Sequence, residues 1–324
     1  MGFSEQLHIL LPLLEEHVQS VLSTPNGSPE GLYEPARYLL GLGGKRLRPA
    51  LSIWVAQHHG SNFELALPAG LAVEVFHNFS LMHDDIMDEA PVRRGLPTVH
   101  LRNGLPTAIL SGDAMLVVAY QQLMNYPDPL RGRLMTHFLQ TSLEVCEGQQ
   151  WDMEFQSQKE VSKEEYLNMI RLKTSVLLGE AARMGALVAA ATQDVADSWY
   201  RFAVAAGLAF QIQDDLLDCY GDSQKTGKQA GGDILANKKT LLAILAWENS
   251  NGSQRVEAQF IGDLPASVEK IERTLEWYRM TDAKKRVEAE RDRFLNDALK
   301  ELSNIEGDTS LFEEMAKLFA YRDH

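Results

Sequence analysis

Cysteine is almost missing from this chain, with Cys146 and Cys219 the only two in 324 residues. Neither has a metal-ligand partner at short spacing. That excludes a disulfide scaffold or thiolate metal centre and leaves two reduced, structural thiols. Basic charge is in deficit as well: 31 Lys and Arg stand against 45 Asp and Glu, a formal net charge of −14. A nucleic-acid or anionic-membrane binder needs a cationic face, so no nucleic-acid partner is expected. No uninterrupted apolar run is long enough to cross a bilayer, so no transmembrane segment is expected. The opening stretch "MGFSEQLHILLPLLEEHVQSVLS" lacks the cationic region and cleavage site of a signal peptide. Gln6 stands where a myristoylation signal wants Ser or Thr. The stretch reads as an amphipathic helix opening a cytoplasmic protein. Alternating β-branched runs are absent, which argues against strands. "GKQAGGD" lacks the spacing of a Walker loop and a preceding strand, which disfavours nucleotide triphosphate hydrolysis. No Ser/His/Asp or Cys/His nucleophile is visible.

What is present is helical periodicity from end to end. Segments such as "KEEYLNMIRLKTSVLLGEAARMGALVAAA" and "VADSWYRFAVAAGLAFQIQDDLLDCY" are rich in Ala, Leu, Met and Glu, the good helix formers. Breaks fall at "TPNGSPEG", "GLGGKRLRP", "EAPVRRGLPT", "NYPDPLRG", "GDSQKTGKQAGGD" and "NSNGS". Residues 182–192 and 203–210 are apolar on nearly every face and belong at the centre of a bundle. With no convincing linker, the expectation is an all-α fold, a single large helical bundle forming one domain over residues 1–324.

The charge is concentrated in two places. "FHNFSLMHDDIMDEAPVRRG" places Asp84, Asp85 and Asp88 within five positions, and "FQIQDDLLD" repeats the arrangement with Asp214, Asp215 and Asp218. Successive helical residues turn by about 100°, so Asp84 and Asp88 share a face, with His77 on the same stripe. Gln211, Asp214 and Asp218 form the same pattern. Carboxylates one turn apart repel, and both sets abut apolar sequence where unpaired charge is costly. A multivalent cation relieves that conflict, and all-oxygen ligands favour Mg²⁺ over zinc or copper. Mg²⁺ fills its remaining positions with water and substrate phosphate. Two acidic walls would therefore hold a diphosphate through bridging metals. Cations to neutralise it are present: Lys45, Arg46 and Arg48 in "GGKRLRP", Arg93 and Arg94 in "RRG", Lys173 beside Thr174 in "RLKT", and Lys225, Lys228, Lys238 and Lys239 in "KTGKQAGGDILANKKT". Arginine forks suit phosphate oxygens.

In their order along the chain, these motifs resemble those of the trans-polyprenyl diphosphate synthases, the head-to-tail prenyl elongases. The resemblance runs from "GGKRLRP" through "HNFSLMHDDIMDEAPVRRGLPTVH", "GDAML", "EGQQWDM", "LKTSVLLG" and "FQIQDDLLD" to "TGKQAGGDILANKKTLL". It implies the isoprenoid synthase fold around a deep central cavity, a homodimer, and three Mg²⁺ ions in each active site. It also implies the substrates: isopentenyl diphosphate and an allylic diphosphate (dimethylallyl, geranyl or farnesyl). By resemblance, Asp84, Asp88 and Asp214 ligate Mg²⁺, with Asp85, Asp215 and Asp218 beside them. Arg93, Lys173, Lys228 and Lys238 contact the allylic diphosphate, while Lys45, Arg48, His77 and Arg94 hold that of isopentenyl diphosphate. Thr174 and Gln211 line the reacting centre, and Gln149 with Asp152 fits the family's "GQxxD" motif. Arg322 would close the isopentenyl site.

Product length is expected to depend on the helix that carries Asp84. Phe79 lies about 7.5 Å and Phe76 about 12 Å along its axis toward the N-terminus, and Ser80 is small. An aromatic five positions upstream of an uninserted "DDxxD", with none at four, resembles the archaeal-type geranylgeranyl synthase pattern. A C20 product is expected ahead of C15, floored by either ring. Two alternatives stand beside this: a class I terpene cyclase, which would lack an isopentenyl diphosphate pocket, and a non-catalytic partner subunit, which would tend to lose motif aspartates.

Overall fold

The computed structural model describes residues 2–221 and 231–322. Helices dominate, as the composition implies. Two compact units are distinguished, one of Met1–Gln140 with Glu180–Tyr200, the other of Thr141–Gly179 with Arg201–His324.

In the first unit α1 (Phe3–Ser20), α2 (Glu30–Gly41), α3 (Leu47–His58), α4 (Phe63–Met87), α5 (Val99–Asn103) and α6 (Leu105–Leu123) follow in order, and α7 (Leu130–Ser157) begins. The core of the unit is α4, which packs against α3 and α6. Asn62 starts it, its side chain accepting the Leu65 N–H at 2.9 Å. Gly70 lets α3 approach closely: a Cβ there would lie 3.3 Å from Pro49. Among the described helices, α4 alone is long and apolar enough to cross a membrane, by length and hydropathy. Its apolar run is broken by Glu74, His77 and Asn78, and 61% of the apolar window is buried inside the protein, the pattern of a core helix.

Two expectations need correction here. A short antiparallel pair does form, with Val92 opposite Pro97 and Arg93 opposite Leu96. Its tip is Arg94–Gly95, both at positive φ (53° and 78°), as a two-residue hairpin requires. A pair of two-residue strands carries no alternation to detect. The apolar stretch 182–192 does not stay helical either. The helix α9 (Val176–Val188) stops, and Ala190 turns at φ 60°.

In the second unit α7 ends and α8 (Lys163–Ile170) follows, started by a capping box between Ser162 and Glu165. A π-helical turn, Arg171–Ser175, leads into α9, most of which belongs to the first unit, as does the start of α10 (Gln193–Tyr220), whose second-unit part carries the second aspartate set. Then come α11 (Gly232–Leu235), α12 (Leu241–Glu248), α13 (Gly252–Asp263), α14 (Val268–Met280), α15 (Ala283–Leu302) and α16 (Ser310–Tyr321). The apolar α12 packs against α14 and α15, burying Leu241, Leu242, Ile244 and Leu245. Within residues 203–210, Ala203, Ala206, Leu208 and Ala209 are buried as expected.

Candidate active site

In the first unit the aspartates occupy the last turn of α4, and Asp88 closes it, its N–H donating to the Asp84 carbonyl at 2.8 Å. A helix C-terminus already carries partial negative charge, so adding carboxylates there creates a demand for cations. One demand is met internally. Asp85 is buried and accepts a forked pair from Arg93, Nε at 2.9 Å and Nη2 at 2.6 Å on Oδ1. The same Nη2 stands 3.8 Å from Asp84 Oδ2. Arg93 therefore tethers the hairpin to the acidic turn. Asp85 belongs to that tether, while Asp84 is partly exposed and Asp88 exposed.

Two turns back along α4, His77 meets the arginines. Arg48 Nη1 lies 3.2 Å from His77 Nε2 and donates to it. Burial pushes the imidazole well below its usual range, and Arg48, Arg94, Arg93 and Arg46 add to the push, so the ring is neutral. Arg48 Nε is buried with no partner among the described residues. Gly44 at φ 150° lets the Arg94 guanidinium lie against it, since a Cβ there would sit 3.1 Å from Arg94 Nη2. Lys45 is exposed. Arg46, between Lys45 and Arg48, is buried against Glu15 and Glu74 and takes no part in this cationic face. Charge and orphaned donors together suit a polyanion.

The same helix, α4, carries the chain-length candidates. Phe76 is fully buried and forms a chain of ring contacts with Phe79 (5.4 Å) and Phe138 (5.5 Å), and Phe138 meets Tyr120 at 5.8 Å. Phe79 also meets His83 at 4.8 Å. Ser80 Oγ donates back to the His77 carbonyl at 2.8 Å, leaving a small surface. A surface depression of about 500 Å³ lined by Asp128, Gly132, Arg133, Thr136 and His137 contains none of the expected site residues.

In the second unit the π-turn presents Lys173 and Thr174. Such bulges recur at functional sites because they re-aim side chains. Two glycines let helices close on it. A Cβ at Gly148 would collide with the Lys173 backbone nitrogen, and one at Gly207 would lie 3.0 Å from the Ser175 side chain. Lys173 Nζ donates to Asp152 at 2.6 Å, which brings "GQxxD" and "LKT" together. Gln149 Nε2 is buried without a partner among the described residues. Thr174 Oγ1 donates to Gln211 Oε1 at 3.4 Å, joining the two residues assigned to the reacting centre.

The second aspartate set divides three ways. Asp214 is partly exposed and pairs with Arg322, whose guanidinium also stacks 3.7 Å over the Phe210 ring. Asp215 is buried, accepting the Tyr166 hydroxyl and, at 3.4 Å, the Leu241 N–H at the start of α12. Burial, then nearby Asp233, pushes its carboxyl up to about 7, against the pull of those two donors. Asp218 receives the Asp233 N–H at 3.0 Å and the Gly231 N–H at 2.7 Å on its carbonyl, holding α11. Asp233 in turn pairs with Lys238 at 3.2 Å. Lys225 and Lys228 lie outside the described residues. The sequence reading missed Tyr166, Asp233 and Gln213, which accepts from Arg291 at 2.9 Å and donates to the Arg322 carbonyl. Only Asp233, quoted within "GGDILANKK", had a local signal.

Among the described residues no three His, Cys, Asp or Glu side chains form a ready-made metal cage. The donor sets present are pairs of carboxylates one turn apart, Asp84 with Asp88 and Asp214 with Asp218, of which Asp88 is exposed and the others partly so. They fit Mg²⁺, which takes one or two carboxylates and completes its octahedron with water and phosphate.

A family model described as polyprenyl synthetase matches residues 29–278. A geranylgeranyl pyrophosphate synthase from Geoglobus acetivorans is 40% identical over 265 residues, 81% of each chain. A geranylgeranyl diphosphate synthase from Methanosarcina mazei is 40% identical over 274 residues, 82% of this chain and 83% of its own. A crystal structure of a geranylgeranyl pyrophosphate synthase superposes with a TM-score of 0.90 at 39% identity, covering 97% of both chains.

Proposed function

The chain belongs to the polyprenyl synthetase family, and from that premise we propose that it is a prenyltransferase condensing isopentenyl diphosphate head to tail with allylic diphosphates to give a short all-trans product, C20 ahead of C15. The observation that carries this reading lies within one unit. There, a helix end bearing the partly exposed Asp84 and the exposed Asp88 shares α4 with a cluster of arginines around a neutral histidine. Such a unit can serve a metal-carried diphosphate and a directly held one.

Asp84, Asp88 and Asp214 would hold the Mg²⁺ ions, which supply charge neutralisation as the allylic diphosphate departs. Arg93, already aimed by Asp85, would contact that diphosphate, together with Lys173, Lys228 and Lys238. Asp215 and Asp218 would support from behind, Asp215 through Tyr166 and α12, Asp218 through α11. Lys45, Arg48, His77 and Arg94 would hold isopentenyl diphosphate. Breaking the allylic C–O bond leaves a cation, toward which the Thr174 hydroxyl and Gln211 amide oxygens would turn their dipoles. The isopentenyl π pair forms the new C–C bond, and a C–H proton then leaves to the departed diphosphate. Gln149, whose Nε2 has no partner among the described residues, would line the allylic side. Water must be excluded, so a deep apolar cavity is part of the proposal, with the Phe76–Phe79 cluster as its floor.

The family match runs through segments of both compact units, which supports treating residues 1–324 as one synthase domain. A homodimer is proposed on a further observation. Leu110, Val117 and Met124 repeat every seven residues along α6 and its end, all more than half exposed, with Ile109 beside them. A row at that spacing suits a second copy of the same helix.

The direct test is incubation with Mg²⁺, isopentenyl diphosphate and each allylic starter, followed by sizing of products. A C20 product that disappears with chelator is expected. A product of thirty or more carbons would sink the floor assignment. Failure to consume isopentenyl diphosphate would point instead to the cyclase or the partner-subunit reading.

A further inference from the structure

The turn that carries Lys45 and Arg48 is held by the residue between them. Arg46 is 3% exposed, and its guanidinium is directed into protein. Nε donates to Glu15 Oε1 at 2.8 Å and Nη1 to Glu74 Oε1 at 2.6 Å, while Nη2 reaches Glu15 Oε2 at 3.2 Å and the Leu40 carbonyl at 2.6 Å. One side chain thus gathers acceptors from α1, the last turn of α2 and the middle of α4. Glu74 is itself fixed, since Asn78 Nδ2 donates to its Oε1 at 3.0 Å and to its carbonyl at 2.8 Å. The Arg46 backbone is left-handed, φ 45° and ψ 36°, at the cap of α3. A non-glycine residue stays there only where its surroundings over-determine it, a condition that recurs at functional sites.

The neighbours give this anchor its meaning. Glu74 stands three residues before His77 on α4, and Arg48 donates to His77. The Arg46–Glu74 pair therefore sets the register between the turn and the helix bearing the acidic motif. Burial disfavours the charged forms of Arg48 and Arg94, and Arg46 adds to this at Arg94; Glu74 offsets part of it at both, and Glu15 at Arg94.

We propose that Arg46, clamped by Glu15 and Glu74, is a positioning residue for isopentenyl diphosphate, and that Glu15 makes the N-terminal helix α1 a determinant of affinity for that substrate. This rests on the function proposed above, and the substrate-by-substrate kinetics separate the two. Isopentenyl diphosphate is varied at saturating allylic starter and the converse, for the full chain and for Glu15→Ala, Glu15→Gln and Arg46→Lys, with Tm recorded for each. Glu15 is partly exposed on α1, so its variants are expected to fold even if Arg46→Lys does not. Glu15→Ala should raise KM for isopentenyl diphosphate about tenfold, the loss of one charge-assisted clamp, while KM for the allylic substrate and kcat stay within twofold. Glu15→Gln keeps a neutral acceptor and should fall between. Arg46→Lys keeps the charge but not the fork and should resemble Glu15→Ala. A lowered Tm with both KM values unchanged would reduce Arg46 to a purely structural role and overturn the proposal, as would equal rises in both. Absence of turnover by the unsubstituted chain would overturn the functional reading and this inference with it.

Discussion

His77 sits among arginines that forbid it a proton. An unfolded histidine titrates near 6.5, whereas the folded ring is held well below that by burial and by Arg48. As pH falls below about 6.5, the unfolded chain takes up a proton that the fold refuses, so stability is present above that pH and lost on acidification. The slope approaches one proton, about 1.4 kcal/mol per pH unit at most. Urea unfolding at pH 7 and pH 5.5, without diphosphate, should therefore show a smaller acid loss for His77→Gln than for the unsubstituted chain; equal losses would rule the ring out as the source. A second residue-scale expectation concerns Arg322, which occupies a carboxylate assigned to metal. Arg322→Ala removes the competing cation, so half-maximal turnover should need less Mg²⁺, by a few-fold for a partly exposed pair. A titration that needs the same or more Mg²⁺ would show that the arginine serves the substrate instead.

At the scale of elements, the π-turn depends on glycine as much as on its own residues. Gly148→Ala drives a Cβ into the Lys173 backbone nitrogen, and the helix cannot yield without moving Lys173 and Thr174. Overpacking of this kind costs about 1–3 kcal/mol, and turnover should fall more than the lowered Tm explains; full activity would mean that the turn tolerates displacement. The α4 aromatics form the other element-scale test. Phe79→Ala breaks a chain of ring contacts that runs from His83 through Phe79 and Phe76 to Phe138. If Phe79 is the floor, chromatography of the products should show added five-carbon units. Unchanged length would move the floor to Phe76 or another helix. On an ideal helix Phe76 is turned about 80° from Asp84 and Phe79 about 140°, which is why spacing alone left both open.

At the scale of the molecule, the exposed α6 row predicts association. Val117→Asp places a charge in the middle of the row without touching either aspartate set, and light scattering should show a dimer in the unsubstituted chain shifting toward monomer. A unsubstituted chain that is monomeric at micromolar concentration would remove the row's assigned purpose.

Local spacing made much of this protein legible. The helical class and the i, i+4 carboxylates on α4 and α10 follow from backbone periodicity, whereas the contact of "LKT" with "GQxxD" is made by packing across 21 residues. Periodicity is a property of neighbouring residues, and it survives whatever the rest of the chain does. Partner choice does not follow from it. "KRLR" presents two arginines two positions apart, yet Arg46 turns inward to Glu15 and Glu74 while Arg48 turns to His77. "DDIMD" and "DDLLD" look alike, yet Asp85 is tied by Arg93 and Asp215 by Tyr166, from 8 and 49 residues away. Arg322 reaches Asp214 across 108 residues. A buried charge must find a counter-charge or a donor wherever the fold brings one. Which of two like residues is buried and tied, and which stays open to solvent, was therefore decided by tertiary packing, beyond what any local pattern encodes.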